Sequence, residues 1–351
     1  MQVYNKRLYS KDDSASIFLY AILLPQIFGI LLGFLASFIA TMSGVEYSVV
    51  INYVIFDYLS LCLAQIAFLM IFFGYNAIKK IDWKMATKIN VPIKFKQILV
   101  LILIALATLF LFSPLINLVD YLIGLTGYST TGELPFDLTT VDGLLVGLFA
   151  FAFLPAVFEE LLFRGIVFNG LKKLGIKKAI IFSALIFALM HLSIEQTVYQ
   201  IIIGVLLAYA VYVTGSLWSS IVLHFVNNFV IIMITFYYEA SGIGTNTTLS
   251  FSGWFSYIEP FLYALGGVVV VFLLFKLLKF VSKKSSTLSK EFDEKMQLPT
   301  MEISGEEELT EDQLELEKEL NVAKEKSTNK KIIYALVIGL FLWIANFVAY
   351  L

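Results

Sequence analysis

Phe158-Glu159-Glu160-Leu161-Leu162-Phe163-Arg164 sets two adjacent acids and an arginine inside an apolar run over about 142–169. Ionisable side chains in hydrocarbon cost several kcal/mol, so those that persist there are functional candidates by default. On a helix, residues four apart share a face, while neighbours lie about 100° apart. Glu160 therefore stacks on Arg164, with the acid on the amino-terminal side, the better orientation for an ion pair. Glu159 points elsewhere and has no basic residue three or four positions away in either direction. One carboxylate is thus neutralised by its own helix, and the other is left without a local partner, which suits a general base. The competing reading, that Glu160 and Arg164 merely glue helices together, is the weaker one.

The chain has two histidines, and both lie in other apolar runs. His191 follows Phe187 by four positions, so an aromatic side chain shares the imidazole's face. His224 and Asn228 are also four apart and share a face, whereas Asn227 lies off it and reads as a structural hydrogen-bonder. A lone histidine in an apolar helix is more often a satisfied core residue than a catalyst. Here both histidines of the chain are placed alike, which shifts that balance. Depth agrees with this. At about 1.5 Å per residue, Glu159 lies roughly 20 Å from Lys172 and His191 roughly 20 Å from Lys178, while His224 and Asn228 lie roughly 12–18 Å beyond Thr214-Gly215-Ser216. Glu, His, His and Asn gathered at one depth can activate water.

Composition fixes the class as an all-α, polytopic membrane bundle. Hydrophobic residues make up 59% of the 351 and charged residues 15%, too little polar surface for a soluble chain of this length. Runs long enough to cross a bilayer occur at about 16–42, 48–78, 96–124, 142–169, 178–194, 197–214, 217–238, 256–279 and 332–350, giving about nine transmembrane helices. The fifth and sixth, separated by Ile194-Glu195-Gln196, read as a tight hairpin. The first run follows Lys6, Arg7 and Lys11 and is too long for a cleaved signal, so it reads as an anchor. With the amino terminus inside, the 25 lysines and arginines fall on the cytoplasmic side, Arg164 near the inner end of the fourth span completing the set, and Glu46, Glu133, Asp137, Glu195 and Glu239 fall in outer loops. The carboxyl terminus is then outside. The organisation is a three-span region (1–141), a catalytic membrane core (142–238), an outer loop and eighth span (239–281), a polar cytoplasmic linker (282–331) and a last span (332–351). The linker turns acidic from Glu302 to Glu319 and reads as solvated. Asn246-Thr247-Thr248 matches a glycosylation sequon, a pattern too common to weigh. The net charge of -2 argues against nucleic acid as a partner. Cys62 is the single cysteine, which excludes an internal disulfide and a Cys-based zinc site.

Pro155-x-x-x-Glu159-Glu160-x-x-x-Arg164-Gly165, then Phe187-x-x-x-His191, then His224-x-x-x-Asn228 resemble the three motifs of the CPBP family. These are the CAAX prenyl proteases and bacteriocin-processing (Abi) proteins, the Ras-converting endopeptidase among them. Thr214-Gly215-Ser216-Leu217-Trp218 also looks familial. The resemblance covers about 142–235, and the flanking spans inherit nothing from it. It implies that Glu159 and His191 activate the attacking water, that His224 and Asn228 stabilise the tetrahedral oxyanion, and that Glu160 and Arg164 support them. Peptide hydrolysis needs both functions.

The expected activity is that of an intramembrane endopeptidase acting on membrane-associated peptides or proteins, with no cofactor. Zinc is the chemical alternative, with Glu159, His191 and His224 as ligands and one open position. A transporter would also want Glu and His at mid-membrane, although no repeat symmetry is evident. A non-catalytic immunity or scaffold protein is the third alternative. The Lys/Ile/Asn-leaning composition and the absence of targeting signals suggest a bacterial plasma membrane. The one-sided charge makes the topology testable. Cysteines introduced at Ser129 and Thr247 should react with an impermeant thiol reagent in intact cells, and one at Ser285 should not; labelling at Ser285 would reverse the orientation.

Overall fold

The computed structural model describes residues 8–52, 54–126, 138–241, 255–297 and 311–349, and every regular element among them is helical. The expected all-α membrane bundle is what forms. In chain order the helices are α1 (Lys11–Ser43), α2 (Tyr47–Ile51), α3 (Val54–Lys79), α4 (Trp83–Ala86) and α5 (Phe95–Gly124). Then come α6 (Val141–Leu174), α7 (Ile176–Met190), α8 (Ile194–Thr214), α9 (Trp218–Ser241), α10 (Phe255–Gln297) and α11 (Glu311–Ala349). Glu133, Asp137, Ser129 and the Asn246-Thr247-Thr248 sequon lie outside the described residues. Phe34, Phe38, Phe261 and Phe341 are all exposed on the flanks, apolar surface that suits lipid rather than water.

Eight helices among the described residues are long and apolar enough to cross a membrane. The remaining expected span, 178–194, is α7, which has 15 residues. Those rise about 23 Å, less than a hydrocarbon core of about 30 Å. Its tip, His191-Leu192-Ser193, turns back directly into α8, so the hairpin read from the sequence is present but short. Leu192 holds φ +51 there, a left-handed conformation that costs a β-carbon-bearing residue about 1–2 kcal/mol. Ser193 caps the next helix by accepting from the Gln196 amide. At the other end of α7, Gly175 takes φ +94 to reverse the chain from α6, a geometry that favours glycine.

The polar stretch 282–331, read as a solvated linker, is helical on both sides: α10 continues to Gln297 and α11 starts at Glu311. Its lysines and glutamates are good helix formers, and a helix already nucleated in the membrane gains one hydrogen bond per added residue. Residues 298–310 lie outside the description.

α6 is not a uniform helix. It carries two π-helical segments, Leu148–Phe153 and Leu161–Phe168, on either side of the Glu159-Glu160 pair. Wide π turns take carbonyls off the regular ladder and are frequent at functional sites. Side chains use those carbonyls here. Asn228 donates to Phe151 O at 3.0 Å, Ser14 to Val167 O at 3.0 Å, and Asn169 to Arg164 O and Gly165 O at 3.0 and 2.9 Å.

The other helices enclose α6. α1 packs on α3, on α11 and on the second π segment, while α5 pairs with α10 and α9, and α7 with α8. Lys331 meets Asp12 at 2.7 Å and Lys11 meets Glu325 at 3.1 Å, so α1 and α11 enter from one end of the bundle. At the far end α11 seats on the short hairpin: Asn346 donates to the Leu192 carbonyl and Trp343 Nε1 to Thr197 Oγ1 at 2.8 Å. The Leu192 carbonyl at the turn, outside the regular helix ladder, is thus satisfied by a side chain of another helix. Near the start of α1 the chain touches α6 so closely that a β-carbon on Gly170 would collide with Ser14 Oγ and the Ser10 carbonyl. Gly170→Ala should therefore lower the melting temperature of the detergent-purified protein, at a cost of about 1–3 kcal/mol for overpacking. Gly29→Ala, whose β-carbon would meet nothing within 4 Å, serves as the control and should leave it unchanged.

Candidate active site

The two acids of α6 occupy different environments, as their angular separation requires. Glu160 and Arg164 are both 0% exposed, and Arg164 Nη1 donates to Glu160 Oε1 at 2.7 Å. The same oxygen accepts from His224 Nδ1, on α9, at 3.0 Å. Arg164 Nη2 reaches the Gly204 carbonyl of α8 at 3.3 Å, and its guanidinium lies 4.2 Å from the centre of the Phe187 ring on α7. One ion pair on α6 thus links α7, α8 and α9. The i,i+4 pairing expected from the sequence is present; its extension to His224 is something the sequence did not reveal.

Phe187 is the packing hub. Its ring centre is 4.9 Å from that of His191 and 6.1 Å from that of His224, both edge-on, and 5.3 Å from Phe163. His191 Nδ1 lies 2.8 Å from the Phe187 carbonyl. A carbonyl only accepts, so that nitrogen carries the hydrogen and Nε2 is the free position. His224 Nδ1, facing a carboxylate, likewise carries hydrogen and leaves Nε2 for chemistry. Both imidazoles are therefore fixed in tautomer and orientation by a partner behind them.

Glu159 stands apart from the ion pair, buried, with Gln65 Nε2 of α3 donating to its Oε1 at 3.4 Å. Asn228 donates one amide hydrogen to Phe151 O and accepts from Asn227 Nδ2 at 3.2 Å, leaving its second N–H for another acceptor. Asn227 also donates to the Tyr199 hydroxyl and accepts from Thr108 Oγ1 at 3.4 Å, the supporting role its off-face position suggested. Glu159, Glu160, Arg164, His191, His224 and Asn228 are all joined to α6 or to Phe187 by these contacts. Gln65, Tyr199 and Thr108 were missed by sequence reading. A lone glutamine in the apolar run Leu63-Ala64-Gln65-Ile66-Ala67 was a visible signal, whereas the other two carry none.

Residues 141–230 match the family model of the Rce1-like proteins, described as type II CAAX prenyl endopeptidases. The match, about a quarter of the chain, supports a resemblance of the membrane core to the CPBP/CAAX protease family. No curated protein and no solved structure matches the chain. The matched segment runs from the start of α6 through Asn228 and so contains every motif residue, while Gln65, Thr108, Trp343 and Asn346 come from outside it. In this core the Glu160–Arg164 pair should govern folding. Removing either partner of a buried pair strands the other, at about 3–5 kcal/mol. Glu160→Ala and Arg164→Ala should each lower unfolding stability by that order, and the double variant by clearly less than their sum. Strict additivity in the cycle would contradict the pairing.

Proposed function

We propose that the protein is an intramembrane endopeptidase that cleaves membrane-associated peptides or proteins with water activated by Glu159 and His191. The observation that carries this reading is the division of labour on α6: Glu160 Oε1 holds both Arg164 and His224, whereas Glu159 has as its hydrogen-bond donor among the described residues the neutral amide of Gln65. A carboxylate so placed can take a proton from water, and His191 Nε2 is the second base at the site. The hydroxide adds to the scissile carbonyl, and the proton held by Glu159 passes to the departing amine as the tetrahedral intermediate collapses. The oxyanion is met by Asn228 Nδ2–H and by His224. Because His224 Nδ1–H is taken by Glu160, His224 donates through Nε2 only when doubly protonated, and Glu160 is the counter-ion that such an imidazolium needs.

The zinc alternative has an observation of its own. Metal-bound histidines commonly give their other nitrogen's hydrogen to a carboxylate or a carbonyl. Here His224 has Glu160 and His191 has the Phe187 carbonyl. The sequence offered no same-face carboxylate to His224; α6 supplies it in three dimensions. Among the described residues, however, no group of three His, Cys, Asp or Glu side chains is spaced to hold a metal ion. We keep the reading in which the residues act directly, in a bacterial plasma membrane, with the amino terminus and the access to the site on the cytoplasmic side and the carboxyl terminus outside.

The test uses two internally quenched peptides, one ending in a farnesylated CAAX sequence and one an unprenylated single-span peptide, with protein purified in detergent. Glu159→Gln should lower kcat by about 10²–10⁴-fold, and Asn228→Ala by about 10²–10³-fold. A strong chelator should leave cleavage unchanged. Stoichiometric zinc whose removal stops cleavage and whose return restores it would make Glu159, His191 and His224 ligands. Full activity of Glu159→Gln would remove Glu159 as the base, and a wild type that cleaves neither peptide would remove the protease reading.

A further inference from the structure

Three buried side-chain atoms among the described residues have no hydrogen-bond partner: Glu160 Oε2, Arg164 Nε and Gln65 Oε1. The first two belong to the ion pair, whose other atoms, Glu160 Oε1 and both Arg164 Nη groups, are hydrogen-bonded. Gln65 is different. It sits on α3, outside the matched segment, is 7% exposed, and turns its amide onto Glu159. A glutamine kept only to join helices would be expected to spend both ends on protein. This one spends its donor on the carboxylate and leaves its acceptor beside that same carboxylate, since Nε2 and Oε1 share one carbon.

We propose that Gln65 is a further catalytic residue of the site: its Nε2–H aims Glu159, and its Oε1 takes the second hydrogen of the attacking water. This rests on the protease reading above. One water hydrogen goes to Glu159, and the other stays on the hydroxide, held by Gln65 Oε1. The hydroxide oxygen forms the new bond to the carbonyl carbon. When the carbon–nitrogen bond breaks, the proton on Glu159 leaves with the amine and the retained hydrogen leaves with the new acid. The amide suits both halves of the cycle, because Nε2–H can donate to Glu159 Oε1 whether the other carboxyl oxygen is ionised or protonated, and Oε1 stays on the water hydrogen throughout. The grip comes from α3, which packs directly on α6, so the three-span region completes the reaction site of a core that otherwise carries all three motifs.

The test is Gln65→Met, which keeps length and removes both polar atoms. With the two peptides above, it should lower kcat about 10–100-fold, a part of what general-base catalysis itself contributes, with KM unchanged. Its melting temperature should stay close to wild type, since removing an unpartnered buried acceptor offsets the loss of the weak 3.4 Å donor to Glu159. The carboxyl stretching band identified by its absence in Glu159→Gln should shift in the infrared spectrum of Gln65→Met, a readout that needs no substrate. An unshifted band overturns the proposal, as does a shifted band with full kcat, or an activity loss that merely follows a fall in melting temperature. Cleavage by wild type and not by Glu159→Gln upholds the protease reading by itself, so full kcat in Gln65→Met removes the role of Gln65 alone. A wild type that cleaves neither peptide overturns both.

Discussion

A single carboxylate oxygen, Oε1 of Glu160, accepts from Arg164 and from His224 in a fully buried setting. The rest of the core depends on that atom. Two charges out of water are costly unless each is paired and hydrogen-bonded, so the helices that bring the partners cannot separate without stranding one of them. Arg164 spreads the constraint further, to the Gly204 carbonyl and the face of Phe187. Gly204 in turn permits the close approach of α8 to Ala184 on α7, where its own β-carbon would stand 3.0 Å from that alanine. The same interaction thus fixes the relative positions of α6, α7, α8 and α9 and sets the tautomer of His224.

Packing in lipid cannot rely on a hydrophobic driving force between helices, so backbone groups and small residues carry the specificity. The π segments of α6 illustrate this. They release carbonyls at Phe151 and Val167, and Asn228 and Ser14 take them. Asn228 is thereby held by the same helix that carries Glu159, and α1 is anchored to the opposite flank of the motif. The short hairpin beyond α7 poses the converse problem, a tight reversal of the chain that leaves a carbonyl off the helix ladder. α11 answers it with Asn346 on the Leu192 carbonyl, one residue after His191. The first and last helices of the described chain therefore both support a site to which neither contributes a motif residue.

Much of this was legible in the sequence because hydropathy, lysine sidedness and the four-residue helical repeat are local or one-dimensional signals. The apolar runs announced the helices, and the pairing of Glu160 with Arg164 and the separate direction of Glu159 followed from helical angle alone. The length of α7 was misjudged because hydropathy continues through His191-Leu192 while the helix stops at Met190; the turn there is made by backbone conformation and by a partner helix. The polar 282–331 stretch read as a solvated linker, and its helical ends were less legible because charge density marks solvation and says little of conformation.

By itself the sequence determined which residues are ionisable in an apolar setting, that they lie at similar depth, and which of the two acids is free on its own helix. Only the tertiary structure decided what faces them. Glu160 as the partner of His224, Phe187 as the common wall of both imidazoles, and Gln65 on Glu159 are contacts between helices far apart in the chain. No periodicity within one helix encodes the rotation of another about its axis. That rotation is set by where the buried charges and the freed carbonyls find partners.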